Sequence, residues 1–236
     1  MFESVKVHYA PADYENQADG YWQGRTAVVF DILRATSTIV TALDSGYQGV
    51  HCFREVSDAQ NFAASHERTA LAGERDGVPQ SGFQFGNSPR EFVNKSPQYD
   101  FLALTTTNGT RAVEAVAGAD CVVIASLLNL STVAEFLRRE REGSPLALVC
   151  SGSGEDFSLE DALVAAALMA ELQAKHPLLS LLAAYEADWR RCFCSSKNGS
   201  HLLEIGLEAD VDWCLQRDKY SVVPLLAADG TIRPAR

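Results

Sequence analysis

The sequence predicts a single α/β domain with three layers, in which helices cover both faces of a mostly parallel or mixed sheet. Short apolar runs, each long enough for one strand, alternate along the chain with segments of helical periodicity. That alternation is typical of strand–helix–strand units. No repeat, linker or low-complexity block interrupts the 236 residues, a length that one domain can accommodate. We therefore assign residues 1–236 to one domain.

The first half of the chain begins with a candidate edge strand at 4–9. The elements predicted after it are strands at 26–31, 49–53 and 69–75, helices at about 36–43 and 57–68, and a helical turn in 86–93. Gly46 closes the first helix, Ser57 caps the second, and Pro89 suits the first position of the turn.

The second half continues the same alternation. The strands predicted here begin at residues 100, 121 and 146, and the helices are 111–118, 132–142 and 158–177. Ser131 is the expected cap of the second helix. Ser158 and Asp161 form a capping-box pattern for the third, which Pro177 should stop. Residues 178–220 are less regular and could form a small lobe, and 220–226 could add a strand or hairpin at an edge.

Charge and hydropathy exclude several classes of partner. The net charge is −11 and no basic run occurs, which argues against a nucleic-acid partner. No apolar run approaches the ~20 residues that span a bilayer, and the N-terminus lacks the pattern of a signal peptide. We therefore expect a cytoplasmic protein without a membrane partner. The six cysteines form no CxxC pair and are expected to be free thiols.

Polar side chains follow the predicted strands at their carboxyl ends, where ligands bind in doubly wound sheets. The residues at these ends are Asp31, Arg34, Ala35, Thr36, Ser37 and Thr38; Gly73, Glu74 and Arg75; Thr105, Thr106, Thr107, Asn108, Gly109 and Thr110; Ser126; and Ser151, Gly152, Ser153 and Gly154, which lead to Glu160 and Asp161. Helix N-termini and arginine bind phosphate or sulfonate. Carboxylates beside a phosphate imply an intervening Mg²⁺. The purely structural alternatives are that Asp31 caps a helix, that Arg34 pairs with Asp31, and that Glu160 and Asp161 only interact favourably with a helix dipole.

Seven blocks of the chain together resemble the ComB family, the magnesium-dependent 2-phosphosulfolactate phosphatases. They are FDILRATSTIVTAL (30–43), LAGERDG (71–77), GFQFGNSPREF (82–92), LTTTNGTRAV (104–113), ASLLN (125–129), CSGSGEDFSLEDALVAA (150–167) and the weaker NGSHLLEIGLEAD (198–210). The resemblance implies hydrolysis of a phosphate monoester, typified by conversion of phosphosulfolactate to sulfolactate on the coenzyme M pathway. It also implies a magnesium requirement and a homodimer.

We infer the residue roles from their chemistry. Asp31, Glu74 and Asp161, with Glu160 as a fourth candidate, are expected to hold Mg²⁺, which would orient or activate a water. Arg34, Arg75 and the 106–110 turn are expected to hold phosphate or sulfonate, with Thr36, Ser37, Ser151 and Gly152 as further substrate-binding candidates. In a variant mechanism Asp31 is a nucleophile.

Three alternative functions remain open from the sequence. One is a non-catalytic protein that binds a small anion. Another is a phosphatase of the same fold that acts on a different phosphorylated acid. The last is a sugar-phosphate isomerase or transferase, which would need a general base near the substrate carbon.

Overall fold

The computed structural model describes residues 2, 4–93, 97–185 and 188–235, which form ten strands and ten α-helices. The strands are β1 (Val5–His8), β2 (Thr26–Phe30), β3 (Gly49–Phe53), β4 (Thr69–Arg75), β5 (Val78–Pro79), β6 (Phe101–Thr105), β7 (Cys121–Ala125), β8 (Leu146–Cys150), β9 (Pro224–Leu226) and β10 (Thr231–Pro234). The helices are α1 (Pro11–Glu15), α2 (Ala35–Asp44), α3 (Val56–Ser65), α4 (Gly109–Ala115), α5 (Leu130–Glu140), α6 (Leu159–Glu171), α7 (Leu179–Tyr185), α8 (Trp189–Ser195), α9 (Lys197–Glu204) and α10 (Glu208–Cys214). Two short 3₁₀ helices span Pro89–Phe92 and Leu127–Asn129.

The sheet is mixed, with the strand order β1-β8-β2-β7-β9-β10-β3-β6-β4-β5. Strands β1, β8, β2 and β7 are parallel neighbours, and so are β3, β6 and β4. The β9–β10 hairpin lies between these groups and pairs antiparallel with both. Helices pack on both faces, which confirms the predicted three-layer α/β/α class.

The C-terminal hairpin lies in the middle of the sheet, so the prediction of an edge position for it is wrong. Strand β9 pairs with β7 on one side, and β10 pairs with β3 on the other. In the centre of the sheet, the backbone groups along both sides of the hairpin pair with neighbouring strands. At an edge, the groups along its outer side would stay unpaired. The N-terminal strand β1 does lie at an edge, as expected.

Strand β2 is buried on both faces, and this placement brings its end to the functional site. Val28 and Phe30 belong to the core under α5 and α6, whereas Ala27 and Val29 belong to the core that includes residues of α2 and α4. The sequence of a parallel strand that is covered on both faces is a continuous apolar run. The segment 178–220 contributes α7–α10, which pack against the first of these cores.

Helix boundaries agree with the sequence where a cap is local and differ where tertiary contacts compete. Ser158 Oγ accepts a hydrogen bond from Asp161 N at 3.3 Å and caps α6 as predicted. That helix ends at Glu171, well before Pro177. Ser131 does not cap α5, because its hydroxyl instead donates to Asp218 Oδ2 at 2.8 Å and Asn129 occupies the cap position.

Ser57 does not cap α3 either. It lies inside the helix, and Glu55 stands at the cap position. Among the described residues, no helix is both long and apolar enough to cross a bilayer.

Candidate active site

The loops that follow β2, β4, β6 and β8 converge on one pocket of about 340 Å³. Residues of α9, together with Asn87, complete its lining. The lining residues are Asp31, Leu33, Arg34, Glu74, Asp76, Gly77, Asn87, Thr106, Thr107, Asn108, Ser153, Gly154, Lys197, Asn198, His201 and Leu202. The structure therefore brings the predicted Asp31, Arg34, Glu74 and the 106–108 turn together.

Asp31 both faces the pocket and accepts from the start of α2. Its Oδ1 accepts a hydrogen bond from Ala35 N at 3.1 Å, and its backbone oxygen accepts from Thr36 Oγ1 at 2.9 Å. A Cβ at Gly109 would lie 2.7 Å from Asp31 Oδ2, so a glycine is needed where α4 approaches this carboxylate. Asp31 therefore contacts the start of α2 and also lines the pocket.

Glu74 joins two loops of the pocket. Its Oε2 accepts from Gly77 N at 2.7 Å, and its Oε1 accepts from Thr107 N at 3.2 Å. Gly73 just before it has φ of 149°, and a Cβ there would lie 2.1 Å from Thr105 O. The glycine thus allows β4 to pass close to the end of β6.

Glu160 and Asp161 lie buried behind the pocket wall at the first turn of α6. Asp161 Oδ1 accepts from Ile32 N at 2.8 Å, and its Oδ2 accepts from Ser151 Oγ at 3.1 Å. Glu160 Oε1 accepts from Asn198 Nδ2 at 2.8 Å, whereas its Oε2 is buried without a hydrogen-bond partner.

Burial and the charges of neighbouring acids change the ionisation of the carboxyl groups at this site. Burial first, and then the charges of Glu74 and Glu160, raise the pKa of Asp31 to about 7. Burial and the neighbouring charges of Glu160 and Asp31 raise the pKa of Asp161 well above its usual value. Burial also raises the pKa of Glu160. Such mutual repulsion is relieved by protonation or by a cation.

The donor chemistry of this acidic group fits a hard divalent cation. Carboxylate oxygens are the ligands that Mg²⁺ prefers. A bound cation would give the unpartnered Oε2 of Glu160 a partner and would lower the raised pKa of Asp31. Among the described residues, however, no three His, Cys, Asp or Glu side chains are already arranged to hold a metal ion.

The basic residues are distributed differently from the sequence prediction. Arg34 is 4% exposed and pairs with Asp210 rather than Asp31, its Nη1 lying 2.6 Å from Asp210 Oδ2. Lys197 is a second basic residue of the pocket. Arg75 is not among the lining residues, because its guanidinium donates to Glu74 O at 2.7 Å and Arg54 O at 2.6 Å.

Several predicted substrate-binding residues support the pocket without lining it. The Thr36 and Ser37 hydroxyls donate to the backbone oxygens of Asp31 and Ile32. Thr110 donates to Thr106 O. The remaining members of this group are Gly109, Ser151 and Gly152. The Ser151 hydroxyl donates to Asp161 Oδ2 at 3.1 Å, which holds the loop after β8 against α6.

Sequence reasoning missed several lining residues, including all those that α9 contributes. The lining residues it did not select are Leu33, Asp76, Gly77, Asn87, Lys197, Asn198, His201 and Leu202. Two signals could have found some of them, since Asn87 lies in the 82–92 block and Asn198 and His201 lie in the weaker 198–210 block.

The fold and the pocket define an α/β protein with buried acids and an arginine around a site for a small charged molecule. A family model described as 2-phosphosulpholactate phosphatase matches residues 12–229, and the chain belongs to this family. The predicted family is confirmed. The prediction that the chain is an enzyme, a phosphoric monoester hydrolase, is confirmed with it.

Relatives over most of the chain carry the same description. A probable 2-phosphosulfolactate phosphatase of Thermotoga maritima is 36% identical over 208 residues, covering 86% of this chain and 89% of the relative. Another from Thermotoga petrophila is 38% identical, with the same coverage. A third, from Caldanaerobacter subterraneus, is 34% identical over 94% of this chain and 96% of the relative.

Proposed function

We propose that the chain is a magnesium-dependent phosphatase that hydrolyses 2-phosphosulfolactate to sulfolactate and phosphate. The observation that carries the proposal is the pocket itself, in which Asp31 and Glu74 share one cavity with Arg34 and the 106–108 turn. The substrate is inferred from the relatives, which are described as probable 2-phosphosulfolactate phosphatases. A pure anion-binding site would gain nothing from acids around its ligand, since they would repel it.

Asp31 and Glu74 would hold Mg²⁺ at the pocket, with Glu160 contributing its unpartnered oxygen and Asp161 as the fourth candidate. The ion would polarise the phosphoryl oxygens and orient or activate a water. Both oxygens of Asp161 accept hydrogen bonds from the chain, as those of Glu74 do, but Asp161 does not line the pocket. This makes Asp161 better suited to holding the loop after β2 against α6.

The remaining pocket residues would bind and neutralise the anionic substrate. Thr106, Thr107 and Asn108 line the cavity together with the basic residues Arg34 and Lys197. Positioning and charge neutralisation supply most of the acceleration in phosphoryl transfer.

We favour attack by water over an Asp31 nucleophile. The haloacid dehalogenase pattern needs a second acid two residues on, and this position is Leu33. We further propose that the enzyme acts as a homodimer on the route to coenzyme M, as the resemblance implies, and that it acts in the cytoplasm. Light scattering on the purified protein measures the dimer directly.

The first experiment measures phosphate release from racemic phosphosulfolactate and a panel of phosphorylated hydroxy acids, with Mg²⁺ and then with excess EDTA. We expect release that EDTA abolishes and that Asp31→Asn lowers by at least about 10³-fold, as for loss of a central catalytic group. If another compound of the panel is hydrolysed fastest, the proposal of a phosphatase stands and the proposed substrate changes to that compound. No release from any compound by folded, Mg²⁺-binding protein would overturn the proposal.

The same variant separates the two mechanisms. An inactive Asp31→Asn enzyme that binds Mg²⁺ as the wild type does would favour the nucleophile. Loss of Mg²⁺ binding together with activity would favour the ligand role.

A further inference from the structure

One wall of the pocket is built around a buried carboxylate from α10. Asp210 is 1% exposed, and its Oδ2 accepts from Arg34 Nη1 at 2.6 Å. Its Oδ1 accepts from Ser88 Oγ at 2.7 Å, which brings in the residue next to Asn87. Asp210 thus holds two neighbouring parts of the wall, the guanidinium of Arg34 and the segment that carries Asn87.

Asn87 points to a ligand because its side-chain amide oxygen is buried without a hydrogen-bond partner. The residue is 4% exposed and lines the pocket, and Thr38 Oγ1 donates to its backbone oxygen at 2.9 Å. Leaving a buried polar group unpaired costs free energy, so a bound partner is expected. A half-turn of the amide exchanges its oxygen and NH₂ group and presents donors at the same place.

Arg34 has donors to spare at this wall. A guanidinium carries five N–H groups. The described contacts use Nη1 for Asp210 and Nη2 for Gly77 O at 3.1 Å. Among the described residues, Arg34 makes no ion pair with Asp31 or Glu74, so its guanidinium does not lie against the acids that would hold the metal. Its forked donors suit a planar carboxylate or a sulfonate.

We propose that Arg34 and Asn87 form a subsite for one of the two non-reacting acid groups of the substrate, and that Asp210 is the positioning residue that holds Arg34 there. The inference rests on the proposed function, because 2-phosphosulfolactate carries a carboxylate and a sulfonate besides its phosphate. The reacting phosphate then lies with the acids and the 106–108 turn of the same cavity.

The decisive comparison is Asn87→Asp against Asn87→Ala, with phosphosulfolactate as substrate and Mg²⁺ present. If Asn87 donates to an anion, the alanine variant should raise KM about 10-fold, and the aspartate variant should raise it further, to about 100-fold, because it adds repulsion. An aspartate variant that binds as well as the wild type, while alanine does not, would mean that this oxygen accepts from a donor and would overturn the subsite.

Asp210→Asn tests the positioning role, with Arg90→Gln as the matched control. Arg90 Nη1 lies 3.8 Å from Asp210 Oδ1 and its side chain is 50% exposed, so the control removes a charge near the same carboxylate without touching Arg34. Asp210→Asn should raise KM about 10-fold or more with a smaller change in kcat. If Asp210→Asn and Arg90→Gln lower kcat equally and leave KM unchanged, Asp210 has a purely structural role.

Two alternative substrates identify which acid group occupies the subsite. 2-Phospholactate has the carboxylate and no sulfonate, and 2-propyl phosphate has neither. If the carboxylate occupies the subsite, Asn87→Asp should impair phospholactate as strongly as phosphosulfolactate. If the sulfonate does, only phosphosulfolactate should be affected. An equal loss on 2-propyl phosphate would place Asn87 at the phosphate and overturn the proposal.

A binding measurement separates this proposal from the proposed function. Sulfolactate should raise the thermal midpoint of the Mg²⁺-loaded wild type, and Asn87→Asp should remove that shift. If the shift is present but no ester is hydrolysed, the phosphatase proposal fails and the subsite stands. If hydrolysis is normal but the shift is the same in both proteins, the subsite alone fails.

Discussion

Asn198 Nδ2 on α9 donates a hydrogen bond to Glu160 Oε1 on α6 at 2.8 Å. The other side of the same amide accepts from Ser153 Oγ at 2.7 Å, so Asn198 ties the loop after β8 to both helices. This contact fixes one oxygen of Glu160 and leaves the second, Oε2, buried and free of hydrogen bonds. A residue from the C-terminal helices therefore orients an acid that we assign to the metal site.

Asn198→Ala should weaken Mg²⁺ binding. The substitution removes the group that orients Glu160, and loss of such outer contacts costs metal affinity about 10- to 100-fold. The measurement is the Mg²⁺ concentration that gives half-maximal activity, repeated as half-maximal thermal stabilisation. Ser200→Ala on the same helix is the control, because the Ser200 hydroxyl is exposed and bonds only within α9. Equal Mg²⁺ dependence in all three proteins would contradict the assignment of Glu160.

The metal-free protein should lose stability as the pH rises from about 4 to 7. The pKa of Asp31 is about 7 in the folded state against an ordinary 3.8, so in this window the folded state holds a proton that the unfolded state has lost. Stability then falls by up to ~1.4 kcal/mol per pH unit. Above pH 7 this contribution is constant.

Unfolding by urea at pH 5 and pH 7.5, in EDTA, measures this effect. Asp31→Asn should show a smaller loss than the wild type, because position 31 no longer titrates. Saturating Mg²⁺ should also reduce the wild-type loss. Identical pH dependence in the variant and the wild type would show that Asp31 ionises normally.

Gly109→Ala should lower activity while the protein still folds. The added Cβ would lie 2.7 Å from Asp31 Oδ2 and 2.5 Å from Ala35 Cβ, which forces the carboxylate or α4 to move. A misplacement of this kind at a catalytic group can cost about 100-fold in rate. Gly118→Ala is the control, since its nearest neighbour would be Trp22 Cβ at 3.8 Å, an ordinary contact. Full activity of both variants would show that α4 can move without disturbing the site.

Arg75→Gln should affect stability more than substrate binding. Its guanidinium contacts the backbone oxygens of Glu74 and Arg54 and donates to Thr105 Oγ1 at 2.9 Å. Removing these bonds should cost about 1–3 kcal/mol of unfolding free energy, measured by urea titration, with little change in KM. A large rise in KM at unchanged stability would instead support the direct anion-binding role that the sequence predicts.

The predictable part of the site follows from strand ends. Asp31, Glu74 and Thr106 each follow an apolar run, and the loops after these runs do converge in one pocket. Arg75 follows the same rule, yet its side chain turns to backbone carbonyls. Position in the chain predicts which residues reach the pocket edge, whereas the direction of each side chain depends on the acceptors around it.

By itself the sequence determined the α/β class, most strand positions, the Ser158 cap and the acids at the strand ends, because periodicity and capping act over a few residues. Only the tertiary structure decided that the β9–β10 hairpin is central and that Asn87, Asn198 and Asp210 build the site. These choices depend on contacts between segments more than thirty residues apart, such as Asp210 with Arg34, which packing alone brings together.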